Sequence, residues 1–365
     1  MAGLGRRDVR LVAVTGLLTG GAAVTRYVPS GRVVPFVVAA IALAALAALV
    51  GRAVDGLGDR LGSGATGVLQ SALGNIPELL FGIFALRQGL VTVVQATIVG
   101  SILSNVLLVL GLAIVVGGLR HGTQRFSAEA PRTVSLLLLL AVAVLIVPTV
   151  TARLHLAAAA HEHVLSDVAA VVLLAVFALA VPASLRRSGA GPATGSGADP
   201  AIERPTGDSG GPGWPLSLAV ALLVASGGAA ALVSDWFVAA LTPALSALHL
   251  SQSFAGLVVV AIAGNAVENV VGIQLAARDR MDYALAVTLQ SPVQVALAVA
   301  PLLVLISPAL GGTTLTLVFP PLLVVVLAIT AVIAVIVVFD GESTWIEGVC
   351  LVGLYVVVAA AFWWG

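Results

Sequence analysis

Long apolar runs set the first limit on what this chain can fold into. Val33–Val50, Val134–Val150 and Leu322–Val338 each reach the roughly 17–25 residues a helix needs to cross a bilayer. Across 365 residues the chain is 60% hydrophobic and only 9% charged, a balance that a soluble domain does not have. A β-barrel would show short alternating segments instead. The pattern predicts an all-α polytopic membrane protein with the lipid bilayer as its surroundings. Arg6, Arg7 and Arg10 precede a first apolar segment that ends in Thr25-Arg26-Tyr27. That ending lacks a small-residue cleavage site, so a retained helix is expected. The single cysteine, Cys350, excludes an intramolecular disulfide. A formal net charge of zero gives no reason to expect a nucleic-acid partner.

Eleven spans are expected: Leu11–Val28, Val33–Val50, Ala65–Leu86, Val91–Gly117, Thr133–Val150, Leu165–Leu185, Trp214–Leu232 with an extension through Trp236, Phe254–Ala277, Ala284–Ile306, Leu317–Phe339 and Ile346–Phe362. Between the sixth and seventh, residues 186–213 are rich in Gly, Pro and Ser and read as a cytoplasmic flexible linker. With the N-terminus in the cytoplasm, thirteen arginines fall on inside segments and four, Arg26, Arg32, Arg87 and Arg153, fall outside. That bias predicts N-inside and C-outside, and hence an odd number of spans.

Two of these spans carry the same short motif. Gly74-Asn75-Ile76-Pro77-Glu78 and Gly264-Asn265-Ala266-Val267-Glu268 each place a carboxylate in an apolar stretch, where charge is costly and usually functional. Gly, Asn and Glu recur at an offset of 190 residues, and so does Ser101 with Ser291; Ser104 answers to Gln294. The charge rule places the loop at Arg87 outside and the loop at Arg278–Asp282 inside, so the copies are expected in opposite orientation. The organisation predicted is an N-terminal helix (1–30), a first five-helix repeat (31–185), the linker, and an inverted second five-helix repeat (214–365).

Asn75 and Glu78 share a helix face, as do Ser101 with Ser104 and Ser291 with Gln294. Converging faces would offer two carboxylates, three amide oxygens (Asn75, Asn265, Gln294) and three hydroxyls (Ser101, Ser104, Ser291). This is a hard-oxygen set without His or Cys, suited to Ca²⁺ and less so to Na⁺. Glu78 and Glu268 are the expected metal ligands. Gly74 and Gly264 are expected to weaken the helices, Pro77 to free the Leu73 carbonyl, and Pro292 to free that of Thr288. Protons and cation would compete for the same carboxylates. No His or Lys lies near the serines in a predicted span, which disfavours an intramembrane hydrolase; paired carboxylates at a repeat interface disfavour a passive channel. The expectation is a transporter, not an enzyme, without a resident cofactor. His155, His161 and His163 with Glu162 read as a solvated loop, Arg278–Asp282 as a salt-laced turn, and Trp345, Trp363 and Trp364 as interfacial anchors.

These motifs resemble the signature repeats of the Ca²⁺/cation antiporter superfamily, and most closely its cation/proton exchanger branch. The resemblance rests on Gly74-Asn75-x-x-Glu78, on Gly100-Ser101-x-x-Ser104-Asn105 followed by Leu107-Leu108-Val109-Leu110-Gly111, on Gly264-Asn265-Ala266-x-Glu268, on Arg280-Met281-Asp282 and on Ser291-x-x-Gln294. It covers residues 71–118 and 256–301. It implies a mid-membrane Ca²⁺ site on the two glutamates and Ca²⁺ export against H⁺ uptake across a bacterial plasma membrane. Asn269 stands where the branch commonly has His, and Gln290 where it has Gly. Na⁺(K⁺)/H⁺ or mixed exchange stays open beside Ca²⁺/H⁺ exchange.

Overall fold

The computed structural model of the chain describes residues 5–61, 74–189 and 215–364. The helices are α1 (Arg6–Tyr27), α2 (Val34–Leu61), α3 (Ile76–Arg87), α4 (Val91–His121), α5 (Glu129–Arg153), α6 (Glu162–Gly189), α7 (Leu216–Leu248), α8 (Gln252–Gly264), α9 (Ala266–Ala276), α10 (Met281–Leu310, ending in a 3-10 turn), α11 (Pro321–Val337) and α12 (Trp345–Trp363). Among the described residues eight helices are long and apolar enough to span a bilayer, and the bent pair α8–α9 makes a ninth span if counted as one. The 17-residue α11 and the 12-residue α3, which follows residues outside the described set, are shorter. The chain is an all-α polytopic membrane protein; eleven spans stays an expectation.

Several boundaries differ from expectation. The segment expected as linker begins as helix, since α6 runs to Gly189; residues 190–214 lie outside the described set, as does Leu73. The tenth expected span starts at Leu317, but α11 begins at Pro321. Pro320 and Pro321 explain this, because proline excludes the residue before it from the α region.

The chain divides into two compact units. One comprises Met1–Phe81 and Ala178–Ala247, the other Gly82–Phe177 and Leu248–Gly365. In the first, α1 packs along α2, and Arg52 Nε meets Asp8 Oδ1 at 2.9 Å. Phe237 stacks on Phe36 at 4.9 Å between centroids and tilts against Phe81 at 5.7 Å, while Ala53 and Leu57 pack on Ala219.

In the second unit, α4 is the most buried span. At one end of the unit, Arg120 and His121 approach the Ala277 carbonyl. There Gln124 Nε2 donates to Asp279 Oδ1 at 3.3 Å and the Ser127 N–H to Asp282 Oδ1 at 2.7 Å. A short ladder, β1 (Gln124–Arg125) on β2 (Glu342–Ser343), ties in the α11–α12 loop, with Arg125 and Glu342 paired at 3.1 Å. Arg132 donates to the Phe339 carbonyl and lies over its ring. At the other end, Gly312 abuts the Leu86 carbonyl and Gly89 lies beside Thr313. Within this unit the loops thus fall into two groups, one at each end. The expected salt-laced turn is a correction: its acids accept hydrogen bonds from Gln124 and Ser127, while Arg280 lies over the Tyr283 ring.

The internal repeat reappears as backbone geometry. The N–H of Gln88 and of Leu90 bond the Ala85 carbonyl and that of Gly89 bonds Leu86; 190 residues on, Arg278 and Arg280 bond Leu275 and Asp279 bonds Ala276. Gly89 has φ +74° and Asp279 φ +59°. One corner sits at each end of the unit, and the helices that follow, α4 and α10, run in opposite directions. The two inverted five-helix repeats stay an expectation beyond these paired segments.

Beyond α10, residues 311–320 form an extended segment that buries Leu315, Leu317 and Phe319. Buried non-helical backbone survives only where protein satisfies it. Four side chains do so here. Gln95 Nε2 donates to the carbonyls of Thr316 and Val318 at 3.1 and 2.9 Å. Ser307 and Ser166 accept from the N–H of Leu315 and Leu317. Thr149 Oγ1 donates to Leu317 O at 2.9 Å and accepts from Phe319 N–H at 2.8 Å. Thr149→Val keeps the shape and removes both bonds, leaving two buried backbone groups unpaired at a cost of about 2–4 kcal/mol. Thermal unfolding in detergent should show a lowered midpoint that Thr149→Ser restores.

Candidate cation site at two helix starts

Each motif glutamate stands in the first turn of a helix that begins straight after the motif asparagine. Asn75 precedes α3 and Asn265 precedes α9, so Glu78 and Glu268 both occupy the third helical position. The Leu79 N–H bonds Asn75 O at 3.0 Å, and the Asn269 N–H bonds Asn265 O at 3.0 Å. At the second copy the break is plain: α8 ends at Gly264, Asn265 has φ −95° and ψ 20°, and α9 leaves at 66° to α8. Gly264 therefore stands where the helix was expected to fail, and Gly74 lies in a turn. Such helix starts put unpaired N–H groups and the positive end of the dipole beside a carboxylate.

The two prolines stand differently in their helices, and the Leu73 carbonyl that Pro77 is expected to free lies outside the described residues. Pro77 lies in the first turn of α3, where its missing N–H is not needed. Pro292 does not unwind its helix, which continues to Gln294 and then widens into a π-helical stretch, Val295–Val299. A matching stretch, Ser104–Val109, interrupts α4, and 105 and 109 correspond to 295 and 299 at the 190-residue offset. A third occupies Ala255–Val260 in α8. Such insertions recur at functional sites. No periodicity in the sequence announces them.

The second unit brings Ser101, Asn265 and Ser291 together, with Asn105 added. Asn265 Nδ2 donates to Ser101 Oγ at 3.1 Å and to Ala261 O at 2.9 Å. Its Oδ1 accepts from Asn105 Nδ2 at 3.0 Å and from Ser291 Oγ at 3.1 Å. Asn105 Nδ2 also donates to Ser101 O at 2.9 Å. Asn105 and Asn265 are completely buried. Because its oxygen is committed to these partners, Asn265 does not cap α9 with its side chain. The web fixes the broken helix to α4 and α10, and in this arrangement its oxygens serve one another. Ser104 is buried beside it and donates to Ser101 O at 3.3 Å; Gln294 is buried on α10. Glu268 is half-buried on α9. Asn75 and Glu78 are buried and belong to the first unit. Among the described residues, no three His, Cys, Asp or Glu side chains form a metal-holding group. His155, His161 and His163 are exposed. Asn105 was not among the expected site residues; its place four residues after Ser101, one helical turn on, was the available signal.

The family profile described as sodium/calcium exchanger protein matches residues 32–185 and 218–364. The chain belongs to this family. As a member of the sodium/calcium exchanger protein family it is grouped with transporters. Relatives include the "Ca(2+)/H(+) antiporter" of Synechocystis sp., 33% identical over 344 residues, with 91% of each chain covered. The "Ca(2+)/H(+) antiporter ChaA" of Bacillus subtilis is 32% identical over 330 residues, covering 90% of this chain and 91% of the relative. Among solved structures, native YfkE matches with a TM-score of 0.79 and 27% identity, covering 97% and 99% of the two chains. The family match spans both copies of the motif.

Proposed function

We propose that the chain is a secondary antiporter exchanging Ca²⁺ for H⁺ by alternating access, with Glu78 and Glu268 as the shared cation and proton carriers. The observation that carries the reading is the likeness over nine-tenths of the chain to proteins named as Ca²⁺/H⁺ antiporters. The geometry supplies a reason. Two carboxylates, each at the start of a helix beside a buried asparagine, can balance a divalent cation and can take protons in its place. Desolvated ligands of this kind bind cation or proton, and the competition couples the two flows. The buried web of Asn105, Asn265, Ser101 and Ser291 holds the helix break at Asn265 in place; Ser104 and Gln294 would supply further oxygens from the second unit and Asn75 from the first. In the orientation given by the arginines, the end bearing β1 and β2 faces the cytoplasm, and export of Ca²⁺ accompanies H⁺ entry.

Purified protein in proteoliposomes with an imposed pH gradient tests this. Ca²⁺ should move opposite to H⁺, and collapsing the gradient with a protonophore should stop it. Na⁺-driven pH change without Ca²⁺ movement would replace the reading with monovalent cation/H⁺ exchange.

A further inference from the structure

Tyr355 on α12 is 4% exposed, and its hydroxyl has no hydrogen-bond partner. A buried phenol ordinarily finds one, and phenylalanine would fill the same space without leaving a polar atom dry. The surroundings narrow the question. α12 runs antiparallel to α4: Trp345 lies against Gly118, and Leu351 and Val352 against Gly111. Continuing that register sets Tyr355 beside Ser104–Val109, the π-helical stretch on which α12 packs directly. This stretch carries Ser104 and Asn105, and the Asn105 Oδ1 is likewise buried without a partner.

A π-helical insertion differs from the α register by one residue, and its bonds reach five residues back instead of four. Here the Leu110 N–H bonds Asn105 O in that longer pattern. Returning the stretch to α register changes which carbonyls are paired and turns Ser104 and Asn105 against the rest of α4. The geometry points to Tyr355 as a positioning residue whose hydroxyl gains its partner on the 104–109 stretch only when that stretch changes register during transport. This rests on the exchange function proposed above. In the state described here the hydroxyl is unpaired, so it stabilises the other state relative to this one.

Tyr355→Phe tests it. In proteoliposomes the maximal Ca²⁺/H⁺ exchange rate should fall about fivefold with the half-saturating Ca²⁺ concentration unchanged, because the step affected is conformational. The thermal midpoint in detergent should be equal or higher. Hydrogen–deuterium exchange of the amides at 104–110, measured without added Ca²⁺, should slow about threefold, since the variant visits the alternative register less. An unchanged rate overturns the inference, and so does a rate loss matched by a lowered thermal midpoint. If the wild-type protein carries out no Ca²⁺/H⁺ exchange, the functional reading fails by itself. The amide measurement then decides: slower exchange at 104–110 in the variant upholds the role of Tyr355, and equal exchange ends it.

Discussion

Glu268→Gln and Glu78→Gln should each bring Ca²⁺/H⁺ exchange to the level of empty liposomes. Glutamine keeps the size and one oxygen but carries neither the negative charge nor the exchangeable proton, so both halves of the cycle fail together. The loss should be at least about a hundredfold, or about 2.7 kcal/mol of lost stabilisation. Glu→Asp at either position keeps charge and proton and shortens the reach, so partial activity is expected there. Size-exclusion profiles should show both Gln variants folded, because each replaces a charge by a neutral group of the same size. Exchange persisting in both would remove the glutamates from the site and leave family membership intact.

Gly100→Ala should be the most damaging single-methyl change away from the glutamates. A Cβ on Gly100 would overlap the Leu257 backbone, 2.5 Å from its Cα, and a Cβ on Gly256 would meet the Ala96 Cβ at 2.8 Å. The two glycines thus let α4 and α8 cross with backbones in contact, as small residues do in membranes. Neither obstacle is the end of a flexible side chain, so the helices themselves must part. Overpacking of this kind costs about 1–3 kcal/mol, and Ser101 lies one residue from the crossing. Both the thermal midpoint and the exchange rate should fall. Gly256→Ala should do the same, and the double variant should cost less than the two singles added, since one separation relieves both clashes. Gly227→Ala, with open space at its Cβ position, is the neutral control.

Much of this was legible in the sequence because membranes impose coarse rules. Apolar length marks spans, arginines sort loops, and a glutamate in hydrocarbon marks itself. The offset of 190 residues found the paired motifs, and the structure extends it to hydrogen bonds around Gly89 and Asp279 that no side-chain identity encodes. What stayed hidden depends on contacts. The extended 311–320 segment reads as ordinary loop followed by helix, because most of its support comes from Gln95, Thr149 and Ser166, far away in the chain. The π-helical stretches contain the same apolar residues as their flanks. Pro292 is expected to free the Thr288 carbonyl, and the helix passes through the proline and widens three residues later. Asn105 was passed over because it has no polar counterpart in the second copy, where Val295 stands.

The two matching corners differ in one respect with a consequence for assembly. Gly89 takes its positive φ at no steric expense. Asp279 takes nearly the same angle with a side chain attached, which L-residues other than Asn and Asp seldom do, and its carboxylate receives Gln124 from 155 positions earlier in the chain. The first corner therefore carries no side chain at its tip. The second carries one, and that side chain is held by the loop after α4. A duplicated backbone shape thus ends in two different ties, one of main chain alone and one that anchors the end of α9 to a distant loop.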